Sequence, residues 1–197
     1  MASSTTAKPV FVVTGPSGAG KGTLIQLVLP RFADLALAVS ATTRAQRPGE
    51  EDGVHYWFLD REDFDRRVVD GEFLEWVDYV GNRYGTLNFE IDRLRAEGKS
   101  PLLELETDGA MRVKTRVPGA VTIFVTAPVE ELERRLRERA TESSGEIGER
   151  IALAGKQLEQ AGEFDYVVEN DDLGRAADRL REIVVGLLDG AGTMSRR

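Results

Sequence analysis

A glycine-rich run with one lysine stands near the start of the chain, and its residue types suit the binding of phosphate. The run reads GPSGAGKGT over residues 15–23 and has the spacing G-x-x-x-x-G-K. Its glycines allow successive backbone N–H groups to point at one anion, and Lys21 adds a mobile positive charge. The run departs from the usual pattern at Gly22, where Ser or Thr supplies a hydroxyl to magnesium; Thr23 follows one position later. The alternative is an ordinary glycine-rich turn.

The segments on either side of the run distinguish these two interpretations. Val10 to Val13 is apolar and predicts a buried strand, whereas Leu24, Ile25 and Val28 recur with helical spacing. Strand, glycine loop and helix in this order form the context in which the pattern binds phosphate, with the positive end of the helix dipole facing the anion. We therefore predict a phosphate-binding loop.

A second basic segment follows an apolar stretch. Arg44 and Arg47 stand among Ser and Thr residues before a Pro-Gly turn. Two guanidinium groups at this spacing suit a dianionic phosphate, which they bind in bidentate fashion. A solvated surface loop is the alternative.

A third basic segment predicts a lid. A helix predicted from Glu131 to Arg139 carries four arginines, and the polar stretch from Thr141 to Gly148 leads to a return helix that begins at Arg150. Arginines on both sides of a mobile tip are typical of a lid that closes over transferring phosphates. The alternative is a solvated helix pair held by Glu–Arg contacts.

Acidic residues end the predicted strand at residues 101–106. Carboxylates in this position order magnesium in phosphate-loop enzymes. The single histidine, His55, is expected to have a structural or surface role, because a phosphate acceptor needs no base at neutral pH.

Composition narrows the classes of function. The chain has 197 residues, no cysteine and a formal charge of −8. The acidic balance argues against nucleic-acid and membrane partners, and the absence of cysteine excludes disulfides, zinc–thiolate sites and cysteine nucleophiles. No apolar run approaches the length of a membrane span, so we expect a cytoplasmic protein.

Strands alternate with helices along the chain and predict an α/β fold, a parallel sheet core with helices on both faces. A small, mostly β insertion at about 39–87 interrupts it, with strands at 55–59 and 73–79, a helix capped by Asp60 and a turn at 80–86. We expect disordered tails at 1–8 and 191–197, a core at 9–38 and 88–190, and a lid at about 137–150.

Over roughly residues 9–190 the chain resembles the guanylate kinase family of P-loop nucleoside monophosphate kinases. The matching stretches are GPSGAGKG, SATTRAQRPGE, HYWF, FLEW, GNRYGT, the arginine-rich lid segment and VVENDDL. The resemblance implies transfer of the γ-phosphoryl group of ATP to GMP with Mg²⁺, in purine nucleotide metabolism, by a monomer or homodimer. It also implies that the insertion and the lid swing inward over both nucleotides.

The resemblance assigns roles to individual residues. It implies that ATP contacts Gly15, Pro16, Ser17, Gly18, Ala19, Gly20, Lys21, Gly22, Thr23 and Asn170. GMP is implied to contact Ser40, Arg44, Arg47, Glu50, Tyr56, Glu75, Tyr84, Thr86 and Glu106. The implied catalytic residues are Lys21, Arg44, Arg135, Arg139 and Arg150. Thr23 and Glu104 are implied to contact the metal ion through water.

Guanine presents N1–H and N2–H₂ donors, which a carboxylate such as that of Glu75 can accept, whereas adenine would leave this pocket mispaired. The chain departs from the family where D-I-D becomes Glu104-Leu-Glu106, where Ala140 replaces glycine, and at Gly22. Two alternatives stay open. One is a kinase for AMP or another acceptor, and the other is a non-catalytic module that binds phosphorylated partners.

Overall fold

A five-stranded parallel sheet forms the core of the chain. Its strands are β1 (Phe11–Thr14), β2 (Leu35–Leu37), β7 (Ser100–Glu104), β8 (Val121–Thr126) and β9 (Tyr166–Glu169), in the order β2-β7-β1-β8-β9. The computed structural model describes residues 8–79, 81–138 and 144–188, without the side chains of 144–147 and 149. Residues 1–7 and 191–197 of the expected tails lie outside the described residues, as do residues 139–143 of the expected lid, which include Arg139 and Ala140.

Helices cover both faces of this sheet, as the alternation of strands and helices predicts. They are α1 (Lys21–Val28), α3 (Asn88–Ala96), α4 (Thr107–Arg116), α5 (Val129–Glu138), α6 (Ser144–Glu159) and α7 (Leu173–Leu188); a further helix, α2 (Arg61–Val69), belongs to the insertion. Phe11 and Val13 pack with α1 and α7 on one face, and Val12 packs with α3 and α4 on the other. The central strand is therefore buried on both faces, which explains its unbroken apolar sequence.

A second, four-stranded sheet lies within the predicted insertion. Its strands are β3 (Ala41–Thr42), β4 (Trp57–Phe58), β5 (Phe73–Tyr79) and β6 (Asn82–Leu87), in the order β4-β3-β6-β5. α2 covers it through Phe64, whose ring stacks on Phe73 at a centroid distance of 4.3 Å. The aromatic residues of this segment thus give the second sheet its own small core.

The structure corrects several predicted elements. The turn at 80–86 is wrong, because β6 begins at Asn82 and pairs with β5 along its whole length. The strand at 55–59 shortens to β4, and α4 was not predicted. The return helix of the lid begins at Ser144, not at Arg150.

One buried carboxylate ties the insertion to the core. Glu90 of α3 is fully buried, and its Oε1 accepts hydrogen bonds from the Val39 backbone N–H at 3.0 Å and from Arg93 at 2.7 Å. Val39 lies where the chain enters the insertion, and Leu87 lies where it leaves, directly before α3. The hydrogen bond from Val39 therefore attaches the entering segment to the helix that follows the leaving segment.

Candidate active site

The glycine-rich run forms a loop between β1 and α1, as its sequence context predicts. Gly15, Gly18 and Gly20 have backbone φ values of 138°, 88° and 87°, which residues other than glycine rarely adopt. A Cβ at Gly15 would also lie 2.0 Å from the carbonyl oxygen of Val125. Glycine is thus required at the point where the loop passes over the neighbouring strand.

Lys21, the first residue of α1, folds back over the loop. Its Nζ donates hydrogen bonds to the carbonyl oxygens of Gly15 at 2.7 Å and Pro16 at 3.3 Å. The ammonium group therefore lies within the loop, at the positive end of α1, where an anion is favoured.

A cleft of about 320 Å³ opens between the five-stranded sheet and the insertion. Side chains from three separate predictions line it: Lys21 of the loop, Glu104 and Glu106 at the end of β7, and residues of the insertion. The predicted insertion residues on its wall are Ser40, Tyr56, Glu75 and Tyr84. The structure thus brings the phosphate loop and the predicted acceptor pocket to one cavity.

The segment after β3 positions Arg44 against Tyr56 of the cleft wall. Its guanidinium donates to Glu50 at 2.7 Å and lies 5.3 Å from the ring centroid of Tyr56. The other oxygen of Glu50 accepts the Arg47 backbone N–H at 2.8 Å, and the hydrogen bond from Arg44 lowers the pKa of Glu50. Glu50, predicted to contact GMP, thus binds both the Arg44 side chain and the Arg47 backbone. The Arg47 side chain is exposed.

Two tyrosines and His55 complete this side of the cleft. The rings of Tyr56 and Tyr84 meet edge to face at 6.1 Å, and burial raises the pKa of Tyr56, which keeps its phenol protonated as a donor. His55 accepts the Glu51 backbone N–H on Nδ1 at 3.0 Å while lining the cleft. This contact supports the structural role expected for the histidine.

Glu75 is the most deeply buried acidic side chain of the cleft wall, with 1% of its surface exposed. Its Oε1 accepts a hydrogen bond from the Thr86 hydroxyl at 2.9 Å, and its Oε2 has no hydrogen-bond partner among the described residues. Burial raises the pKa of Glu75 to about 7, although the bond from Thr86 opposes this. An acceptor waiting in a buried pocket suits a ligand with N–H donors.

Glu104 lies beside the residue where the loop departs from the usual pattern. A Cβ built on Gly22 would lie 3.6 and 3.7 Å from the two carboxylate oxygens of Glu104. The carboxylate thus faces the space in which a Ser or Thr side chain would stand. Glu106, two residues on, has a buried Oε2 without a hydrogen-bond partner among the described residues.

The arginines predicted for the lid contact the phosphate loop. Arg135 donates to the carbonyl oxygens of Gly18 at 3.2 Å and Asn170 at 3.1 Å, and Arg150 donates to the Ser17 hydroxyl at 2.7 Å. Arg139, predicted as a third member, lies outside the described residues. α5 and α6 therefore bring two guanidinium groups to the loop.

Asn170 supports the loop from β9. Its side chain is 3% exposed, and its Nδ2 donates to the carbonyl oxygen of Ala19 at 2.7 Å. A second cavity of about 250 Å³ beside the loop is lined by Gly20, Thr23, Arg135 and Asn170. Asn170, which the resemblance predicts to contact ATP, thus borders a cavity next to the phosphate-binding loop.

Sequence reasoning missed the contribution of α4. Gly109, in its first turn, touches Glu75 across the cleft wall: a Cβ there would lie 2.7 Å from Oε2. No sequence signal marks this contact, because Asp108-Gly109 after a strand is typical of a turn.

Comparison with known proteins decides the family. A family profile described as guanylate kinase matches residues 6–186. The chain belongs to the guanylate kinase family. The match spans the loop, the insertion, the lid helices and the last strand.

Individual relatives agree with the profile. A guanylate kinase of Rubrobacter xylanophilus is 47% identical over 92% of this chain and 95% of its own length. One of Synechocystis is 47% identical over 89% and 92%. The crystal structure of guanylate kinase from Anaplasma phagocytophilum superposes with a TM-score of 0.72 at 29% identity, covering 92% of this chain and 87% of that one.

Membership of this family makes the chain an enzyme that phosphorylates GMP with ATP, as the sequence motifs predict. Its α/β fold with a parallel central sheet agrees with the structural match. In the described part of the chain, no helix has the length and apolarity to cross a membrane.

The raised pKa of Glu75 predicts a pH dependence of GMP binding. In its predicted role, Glu75 accepts the N–H donors of guanine as the ionised carboxylate, which the nucleotide-free protein loses as the pH falls through about 7. We expect GMP to bind about tenfold more weakly at pH 6 than at pH 8. Calorimetric titrations with GMP check this. Glu75→Gln is the control, because it retains the titration of the GMP phosphate; an equal pH dependence in both proteins contradicts the prediction.

Proposed function

We propose that the cleft between the five-stranded sheet and the insertion is where the γ-phosphoryl group of ATP passes to GMP. The observation that carries this proposal is the lining of one cavity by Lys21, Tyr56 and Glu75, which come from the loop and from two parts of the insertion. ATP lies on the loop, and GMP lies in the cleft against the insertion. The phosphate of GMP then faces the terminal phosphate of ATP across the cavity.

Phosphoryl transfer needs two anionic substrates held in line and their charge neutralised, rather than covalent help from the protein. The N–H groups of residues 15–23 and the ammonium of Lys21 hold the phosphates of ATP. Arg135 and Arg150, which already reach the loop, stabilise the charge on the transferring group. Arg139 has the same predicted role.

On the acceptor side, Arg44 and Arg47 bind the phosphate of GMP, with Tyr56 and Tyr84 as hydroxyl donors. Glu50 acts on the phosphate through Arg44, whose guanidinium it holds at 2.7 Å. This is a positioning role rather than a direct contact.

Guanine is selected by groups deeper in the cleft. Glu75 and Glu106 each present a buried carboxylate oxygen without a partner among the described residues, and each accepts from a donor on the guanine edge. The hydroxyls of Ser40 and Thr86 complete the contacts to the base. Adenine lacks these donors and leaves both carboxylates unpaired, which is costly in a buried site.

The residues at the foot of the loop fit a Mg²⁺ ion that is shared with the nucleotide. The carboxylate of Glu104 faces the open space beside Gly22, and Thr23 follows on α1. Within the described ranges, no three acidic or histidine side chains could hold a metal by themselves. This suits magnesium, which takes few protein ligands together with phosphates and water. When bound, the ion would neutralise charge on the phosphates. Glu104, which faces Gly22, would hold one of its waters, and Thr23, which lines the second cavity beside the loop, keeps the same predicted role.

Gly22→Ser is expected to strengthen the use of magnesium. The new Cβ fits at an ordinary contact distance from Glu104, and its hydroxyl adds one polar contact. We expect the Mg²⁺ concentration for half-maximal rate to fall roughly fivefold, which corresponds to about 1 kcal/mol. A parallel titration of Mn²⁺ binding to the enzyme–ATP complex by electron paramagnetic resonance separates binding from rate. Gly22→Ala, which adds the Cβ alone, is the control; identical behaviour of the two variants contradicts the prediction.

A coupled assay with ATP and GMP, AMP, CMP or UMP tests the function itself. We expect turnover of GMP to exceed that of the other acceptors by several orders of magnitude. Equal or better turnover of AMP would favour the alternative acceptor, and no turnover of any nucleotide would favour a non-catalytic module. We also propose that the protein acts in the cytoplasm as a monomer or homodimer. Its GMP-binding insertion spans about residues 39–87, and its lid spans about residues 137–150.

A further inference from the structure

β5, which carries Glu75, is an edge strand of the second sheet. Its free edge faces α4 of the core, and two arginines of that helix bind carbonyl oxygens of the edge. Arg116 donates to the carbonyl oxygen of Leu74 at 3.1 Å, and Arg112 donates to that of Trp76. The guanidinium of Arg112 also lies 5.7 Å from the centroid of the Trp76 ring. The residues immediately before and after Glu75 are therefore both attached to α4.

The same face of α4 approaches the Glu75 side chain. Gly109 stands three residues before Arg112 and seven before Arg116, a spacing that places all three on one side of a helix. A Cβ at Gly109 would lie 2.7 Å from Oε2 of Glu75, closer than such contacts allow. The absence of a side chain at this position lets the carboxylate lie against the helix.

Backbone conformation does not explain this glycine. Gly109 lies within a helix and its φ is not in the left-handed region, so alanine could adopt the same backbone. Glycine in a helix is less favourable than alanine by about 1 kcal/mol. The chain thus carries a poor helix former where its smallness makes room for Glu75.

We infer that α4 is a specificity-determining element, in which Gly109, Arg112 and Arg116 are positioning residues for the carboxylate that recognises guanine. The inference rests on the proposed role of Glu75. α4 also begins directly after Glu106. One helix therefore sets the position of both carboxylates proposed to contact the base, although none of these three residues was predicted to touch a nucleotide.

The burial of Glu75 makes its position critical. With 1% of its surface exposed and one oxygen unpaired among the described residues, the carboxylate depends on a well-placed donor, because an unsatisfied buried acceptor is costly. A small shift of β5 along α4 would move the acceptor relative to the base. It would leave the phosphate loop, which belongs to β1 and α1, unchanged.

Gly109→Ala tests the inference. We expect the dissociation constant for GMP, measured by calorimetry, to rise at least about tenfold, while the KM for ATP stays within about twofold. The melting temperature should change little compared with the loss of GMP affinity, because the gain from alanine in the helix offsets part of the cost of displacing the carboxylate. Gly155→Ala in α6 is the matched control: a Cβ there meets no described atom within 4 Å, so GMP affinity should not change.

GMP affinity within twofold of the parent protein for Gly109→Ala overturns the inference. If this variant does not fold, Arg116→Ala decides in its place, with the same selective loss of GMP affinity expected and unchanged affinity overturning the inference. Arg116→Lys, which can still reach the Leu74 carbonyl, should restore part of the loss. A Glu75→Gln variant is titrated in parallel: if it binds GMP normally, the proposed role of Glu75 fails, whereas a loss there without a loss in Gly109→Ala refutes the role of α4 alone.

Discussion

Lys21→Ala is expected to lower kcat by about a thousandfold. The ammonium group is held inside the loop by the carbonyl oxygens of Gly15 and Pro16, 2.7 and 3.3 Å away. In the proposed mechanism it stabilises the negative charge that passes between the outer phosphates. Arg135 and Arg150 reach the loop from α5 and α6, but Lys21 is the one basic residue among residues 15–23 themselves. Single-turnover rates with saturating ATP and GMP measure the effect on the chemical step.

GMP binding by the same variant should change little, because the acceptor pocket is built from the insertion. Calorimetry with GMP alone tests this. Lys99→Ala is the matched control, since Lys99 forms a partly exposed ion pair with Glu97, away from the cleft. If Lys21→Ala retains turnover, the lysine has no part in the mechanism. If it loses GMP affinity as well, the division of the cleft into two substrate sites is wrong.

Glu75→Gln is expected to raise the KM for GMP about a hundredfold and to leave the KM for ATP nearly unchanged. The amide keeps the shape of the side chain but presents an N–H group to the donor edge of guanine, where two donors then face each other. The base is thus repelled at the point where the carboxylate accepts it. Steady-state kinetics with each substrate varied in turn give both constants.

Glu75→Gln should raise the free energy of unfolding at pH 8, although it weakens the binding of GMP. Glu75 is ionised in both states at that pH, but its pKa is raised from 4.5 to about 7 by burial, so the folded state carries a cost of about 3 kcal/mol. This cost is absent below pH 4.5, appears as the pH rises to 7 and disappears in the glutamine variant. Glu75→Gln should therefore melt at a higher temperature than the parent protein at pH 8.

Glu72→Gln is the control for both measurements, because Glu72 lies on the surface of the insertion and pairs with Arg67. A KM for GMP within twofold of the parent value in Glu75→Gln would mean that the guanine pocket is misplaced. A lower melting temperature would mean that the carboxylate is stabilised rather than strained by its surroundings.

The phosphate loop could be predicted because its signals are local. Glycines at 15, 18 and 20, the strand before them and the helix after them stand within some twenty consecutive residues. The same holds for the cap at Asp60, whose side chain accepts the Asp63 N–H as expected. Patterns of this kind depend on neighbours in the sequence.

Elements that depend on distant partners were predicted poorly. β6 contains Asn82 and Gly85, which are typical of turns, but becomes a strand because β5 and β3 pair with it on both sides. In the site, the contact of Gly109 with Glu75 joins two segments that no short pattern relates. The sequence allowed residues to be assigned to substrates, but it did not allow the contacts that position those residues to be predicted.

The buried carboxylate of Glu90 has a consequence for the movement expected of the insertion. It fixes Val39, where the chain enters the insertion, to the helix that starts where the chain leaves it. Both connections are therefore held at α3, so we expect the insertion to pivot beside this helix when it closes over the nucleotides. In such a movement the hydrogen bond from Val39 to Glu90 stays closed, whereas the contacts of Arg112 and Arg116 with β5, farther along the insertion, have to adjust.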